Sequence, residues 1–89
     1  MVRKRVVISG LVQGVFFRDT CQRMAADVGV AGWVRNRADG TVEAVFEGAA
    51  DRVEHLVSWA HHGPSQARVE RVTVHEEAPQ GLSTFTISG

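Results

Sequence analysis

Two short stretches of this chain carry side chains suited to holding a small anion. The first is Gln13-Gly14-Val15-Phe16-Phe17-Arg18. Glycine at position 14 permits backbone conformations closed to other residues, and the segment leads into the start of a helix. Successive N–H groups converge on an anion there, helped by the positive end of the helix dipole. Arg18 closes the stretch, and a planar guanidinium takes two phosphoryl oxygens at once. Such a loop suits one phosphoryl group and not an extended nucleotide. The second stretch is Trp33-Val34-Arg35-Asn36-Arg37. The Asn36 carboxamide offers a donor and an acceptor, so it can orient a water without acting as a base. Taken alone, each pattern also has a plainer account. The loop fits a tight turn with a solvated arginine, and Asn36 fits a strand-end residue.

The elements that must position these groups are legible from hydrophobic periodicity. Residues 4–12 are β-branched, bounded by glycine and alternating, with Val6, Ile8, Gly10 and Val12 on one face: a strand. Cys21, Met24, Ala25 and Val28 recur at helical spacing and predict a helix from about Asp19 to Val28, stopped by Gly29. Residues 31–38 form a second strand, Ala38-Asp39-Gly40 a turn, and Thr41–Glu47 a third strand. Val53, Leu56, Val57 and Ala60 predict a second helix over 50–62, ended by Gly63-Pro64. A fourth strand spans Ala67–His75, where Val69 is out of phase with Val72 and Val74 and implies a bulge. Thr84–Ser88 makes a short last strand. The order β-α-β-β-α-β, with a possible fifth strand, is an α+β ferredoxin-like sandwich: an antiparallel sheet with two helices on one face. In that arrangement the second strand is expected beside the first, bringing Asn36 to the loop.

With 89 residues the chain is read as one domain, 1–89, with one core, too small for a deep internal cavity. Ten basic and ten acidic side chains cancel, which argues against gripping a long phosphate backbone. Tyrosine is absent and aromatics make up 7% of residues, against the exposed aromatics an RNA-binding sheet wants. Arg3-Lys4-Arg5 before Val6-Val7-Ile8 mimics a signal peptide, but Ser9, Gly10, Gln13 and Gly14 interrupt the run, which reads as a strand. The apolar runs are too short to span a bilayer. The expected setting is the cytoplasm, with no membrane or nucleic-acid partner and a monomeric chain. Cys21, alone of its kind, excludes an internal disulfide and falls on the apolar stripe of the first helix, as a buried thiol does. His55, His61, His62 and His75 show no metal-ligand spacing, and no metal or cofactor is expected. Trp33 and Trp59 are read as packing residues, and Arg35, Arg37, Arg68 and Arg71 as solvated charges.

The motif Val12-Gln13-Gly14-Val15-Phe16-Phe17-Arg18, followed by Gly32-Trp33-Val34-Arg35-Asn36, resembles acylphosphatase. Asp39-Gly40-Thr41-Val42-Glu43-Ala44, Glu47-Gly48 and Gly63-Pro64 with Ala67 and Val69 extend the resemblance along nearly the whole chain. It implies an enzyme that hydrolyses the carboxyl-phosphate bond of acyl phosphates, a small-molecule substrate, without a metal. It assigns Arg18 and the amides of Gln13 to Arg18 to phosphoryl binding and Asn36 to positioning the water. Cys21 stands where some members have threonine, and the chain ends Ile87-Ser88-Gly89 where many end in an aromatic residue. The first departure bears on how the loop or Asn36 is braced, the second on stability. Met1 and the stop just after the last strand favour a stand-alone enzyme over a domain of a larger carbamoyl-phosphate-using protein. The alternative from another class is a non-catalytic ferredoxin-like module binding phosphate, RNA or protein.

Overall fold

The computed structural model describes residues 1–88. Its elements are β1 (Val2–Leu11), α1 (Phe17–Val28), β2 (Ala31–Asn36), β3 (Val42–Gly48), α2 (Ala50–Ala60), β4 (Arg68–Glu77) and β5 (Phe85–Ile87). They build one sheet in the order β4-β1-β3-β2-β5, with the helices on one face. Pairing is antiparallel throughout β4-β1-β3-β2, while β5 runs parallel to β2, so the sheet is mixed rather than wholly antiparallel.

The expected neighbourhood of β1 and β2 is not found, because β3 lies between them. The reason is the width of the crossover. A helix is about 10 Å across, roughly two strand spacings, so β1-α1-β2 leaves a gap that the returning strand of the hairpin fills. Helical periodicity places Phe17, Cys21 and Ala25 of α1, and Val53, Leu56, Val57 and Ala60 of α2, in the core. They meet Val6 and Ile8 of β1, Val34 of β2, and Val42, Ala44 and Phe46 of β3. α1 begins at Phe17, two residues earlier than its apolar stripe suggests, and ends where Gly29, at φ 84°, donates its N–H to the Ala25 carbonyl.

The out-of-phase Val69 has its explanation in the β1–β4 ladder. Ser9 faces Arg71 and Gly10 faces Val69, so the register shifts between them, as the bulge required. β5 is held by hydrogen bonds from Gly32 N to Thr84 O and from Ser88 N to Val34 O, both 2.9 Å. Phe85 stacks on Phe46 at 5.9 Å. Gly32 makes this fit possible: at φ 141° a Cβ there would stand 1.8 Å from the Val45 carbonyl oxygen. The missing terminal aromatic concerns Gly89, which lies outside the described residues.

The face of the sheet away from the helices is largely ionic, with Trp33 of β2 among the charges. Arg3, 6% exposed, donates to Glu77 at 2.9 Å and to Glu47 at 3.4 Å. Arg5 bridges Glu77 at 3.0 Å and Glu43 at 3.3 Å, and Arg35 reaches Glu43 at 2.6 Å. Arg35, read from sequence as a solvated charge, is thus ion-paired, and it also lies 5.5 Å over the Trp33 ring. Glu47, 1% exposed, accepts the N–H groups of Gln80 at 2.8 Å and Leu82 at 2.7 Å, strapping the β4–β5 connection to the sheet. The Gln80 N–H first, then those of Leu82 and the Arg3 guanidinium, hold its carboxyl below the usual range. Arg3, followed by Arg5, does the same for Glu77. Because these folded-state values are depressed, the unfolded chain binds more protons in acid. The stabilisation is complete above the ordinary carboxylate range and is lost as pH falls through it towards the depressed values. Glu47→Gln should lower stability by about 1–3 kcal/mol at neutral pH, since one backbone donor loses its acceptor. It should also flatten the acid limb. Urea unfolding midpoints of both proteins from neutral to strongly acid pH check this.

Candidate active site

The segment between β1 and α1 reverses direction in a few residues, and the apolar pattern forces how it does so. Val15 and Phe17 are 8% and 2% exposed and point into the core. Phe16 between them is turned outward, and its backbone takes φ 65°, ψ 24°, the left-handed region. That conformation costs a bulky residue on the order of 1–3 kcal/mol and persists where the surroundings over-determine it. Gly14, at φ 73°, makes the other left-handed bend, and a Cβ there would meet nothing within 4 Å. Phe17 is clamped from α2's end of the molecule. Its ring meets Trp59 at 5.0 Å, and a Cβ on Gly63 would lie 2.7 Å from it.

This geometry leaves the start of α1 open. Phe16 occupies the cap position without any side-chain cap, and its carbonyl accepts the Thr20 N–H at 3.1 Å. The N–H groups of the first turn, which an α-helix cannot satisfy internally, are therefore presented at the mouth of the loop. A pocket of about 370 Å³ lies there, formed by Val12, Gly14, Phe16, Phe17, Arg18 and Asp19 with Asn36 and Ile87. Arg18 and Asn36, 18 residues apart in sequence, thus share one wall-to-wall space.

The remaining loop residues serve the pocket indirectly. Gln13 turns its carboxamide towards the β2–β3 turn, donating to Arg37 O at 2.8 Å and Thr41 O at 3.0 Å. Val15 is an anchor. Neither side chain belongs to the pocket wall. The Gln13 staple joins the loop to the hairpin that carries Asn36, so the two halves of the site are coupled although β1 and β2 are not neighbours. The turn is itself stiff. Asp39 Oδ1 accepts the Thr41 hydroxyl at 2.6 Å and the Thr41 N–H at 3.0 Å, and these bonds, the hydroxyl's first, hold its carboxyl below the usual range. Asn36 itself carries a buried Oδ1 without a hydrogen-bond partner among the described residues. A buried acceptor left unsatisfied costs about 1–3 kcal/mol, so the position is held for something other than stability.

Sequence reasoning did not find three participants: the Gln13 staple, the Trp59–Gly63 clamp on Phe17, and Ile87 in the pocket wall. Each joins residues tens of positions apart, and none has a local signature beyond residue type. Cys21, in contrast, lies where its periodicity put it, fully buried and outside the pocket. His61 Nδ1 contacts the Val57 carbonyl at 2.9 Å on its own helix. Among the described residues, no three His, Cys, Asp or Glu side chains gather as a metal-ligand group.

Fold and pocket together define a small ferredoxin-like α+β domain with an anion-suited cradle where the first strand meets the first helix. The acylphosphatase family model matches residues 4–87. An acylphosphatase of Thermococcus kodakarensis is 56% identical over 88 residues, covering 99% of this chain and 97% of the relative. One of Rubrobacter xylanophilus is 60% identical over 79 residues, 89% of this chain and 72% of that one. The crystal structure of acylphosphatase from Bacillus subtilis superposes with a TM-score of 0.96 at 34% identity, covering 100% of both chains. The chain belongs to the acylphosphatase family. It is an enzyme that hydrolyses the carboxyl-phosphate bond of acyl phosphates, yielding a carboxylate and inorganic phosphate.

Burial pushes the Cys21 thiol far up, so it is a poor nucleophile in the folded chain. A thiol-alkylating reagent should leave native activity unchanged and should label Cys21 only when denaturant is present, as mass spectrometry of the treated protein will show.

Proposed function

We propose that the phosphoryl group of the substrate sits in the β1–α1 loop, held by Arg18 and by the backbone amides of Gln13 to Arg18, while Asn36 positions the attacking water. The observation that carries this reading is the buried, unpartnered Asn36 Oδ1 beside the pocket that Arg18 also lines. The chemistry asks for little more. The leaving group on P–O cleavage is a carboxylate whose conjugate acid has a pKa of about 4, so it departs without a general acid. Water forms the new P–O bond as the bond to the carboxylate oxygen breaks, and the electron pair of that bond leaves with the carboxylate. The water's proton passes to a phosphoryl oxygen, so no protein base is needed. What remains is to neutralise the phosphoryl charge and align the water, which fixed dipoles and one guanidinium accomplish. The same argument makes the reaction independent of metal ions.

The 89 residues act in this proposal as one domain and as a monomer in the cytoplasm, on a small-molecule acyl phosphate. No described helix is long and apolar enough to cross a membrane. On the face away from the helices, the central strands β1 and β3 present Arg3, Arg5, Glu43 and Glu47 rather than stacking aromatics, which disfavours an RNA-binding role. The edge strand β4 carries Arg68, Glu70, Arg71, His75 and Glu76, charges that discourage edge-to-edge pairing.

Arg18→Ala should lower kcat/KM for a simple acyl phosphate by about 10²–10³-fold or more and weaken inhibition by inorganic phosphate. Asn36→Ala should cut kcat by at least about 10²-fold while phosphate still inhibits nearly as in the wild type. Both assays are run in EDTA, where the wild-type rate should persist. Near-normal turnover by Asn36→Ala would remove the water-positioning role from this residue.

A further inference from the structure

We infer that the Phe16 ring is the specificity-determining contact for the acyl half of the substrate, biasing the enzyme towards acyl phosphates whose acyl group is aromatic or bulky and apolar. This rests on the proposed seat of the phosphoryl group in the loop. Phe16 is 67% exposed while the residues on either side of it are buried. Its ring contributes nothing to the core, and its side chain makes no helix cap. It occupies a backbone conformation that glycine adopts freely and a phenylalanine adopts only under strain. An exposed apolar ring held at that cost has one remaining environment, the pocket it lines.

The division of that pocket follows from the chemistry of its two parts. The charged end, Arg18 with the first-turn amides, takes the phosphoryl group. The acyl group is joined to phosphorus through one oxygen, and with the phosphoryl group at the charged end of this pocket of about 370 Å³ it extends towards the mouth. The large apolar side chains exposed around the pocket are Phe16 and, 39% exposed, Ile87 from β5. An acyl ring resting on Phe16 gains an aromatic contact and covers apolar surface on both partners, whereas an acetyl group reaches too little of the ring to profit.

The test compares benzoyl phosphate with acetyl phosphate. The two share the phosphoryl end, so any disturbance of the loop by a substitution at position 16 affects both, and the ratio of their kcat/KM values isolates the acyl contact. Phe16→Ala should lower the benzoyl-to-acetyl ratio about three- to tenfold relative to wild type. Phe16→Gly removes the same ring without the left-handed strain and should shift the ratio equally, while Phe16→Leu should shift it less. Circular dichroism confirms folding of each variant. A ratio unchanged in Phe16→Ala and Phe16→Gly, or an equal loss on both substrates, overturns the inference. Failure of the underlying phosphoryl assignment has a different signature: inhibition by inorganic phosphate that Arg18→Ala leaves unaltered, whatever the ratio does.

Discussion

The left-handed turn at Phe16, held between two buried neighbours, is the constraint on which the site depends. Val15 and Phe17 must both enter the core, and a chain that buries alternate residues across so tight a reversal has to expose the one between them. Phe17 then starts α1 with its first-turn amides directed outward and no capping hydrogen bond from the Phe16 side chain. Because Trp59 and Gly63 clamp the Phe17 ring, the start of the helix cannot swing away from the pocket. In the proposed seat of the phosphoryl group, electrostatic stabilisation works only if the dipoles need no reorganisation during reaction. Here that rigidity comes from the hydrophobic core, through a ring contact between residues 42 positions apart.

The second half of the site is fixed by different means. Asn36 ends a strand flanked by β3 on one side and β5 on the other, and it precedes a turn whose internal hydrogen bonds leave little freedom. Gln13 links this hairpin to the loop. The consequence is that the arginine of α1 and the asparagine of β2 sit on separate elements, and the Gln13 bonds to the Arg37 and Thr41 carbonyls tie the loop before α1 to the turn after β2. A small domain can do this chemistry because acyl phosphates have good leaving groups. Charge neutralisation and alignment suffice, and both are properties of rigid surfaces.

The opposite face shows how the fold handles charge where no ligand is required. Arg3, Arg5, Arg35 and the three glutamates Glu43, Glu47 and Glu77 pair across four strands, and Glu47 binds the β4–β5 connection. That connection leads into β5, which completes the sheet next to Asn36's strand and supplies Ile87 to the pocket. The ionic face and the site are thus parts of one construction, although they lie on different surfaces.

What the sequence by itself determined was everything carried by local pattern. The two helices and the main strands follow from period and from glycine stops, the bulge from the phase slip at Val69, and the burial of Cys21 from its place in the apolar stripe. The anion-suited loop was legible because glycine before a helix start and an arginine at its end are a local arrangement, and the motif resemblance named Asn36 beside it. Tertiary structure alone decided which strands are neighbours. Local patterning made β2 a plausible partner of β1, but the width of a packed helix placed β3 between them and left the link to Gln13. It also decided the parallel pairing of β5, the pairing of Arg35 with Glu43 and the clamp on Phe17. These depend on side chains that meet only after the core has formed, and hydrophobic periodicity reports which face a residue is on, not which distant residue will lie against it.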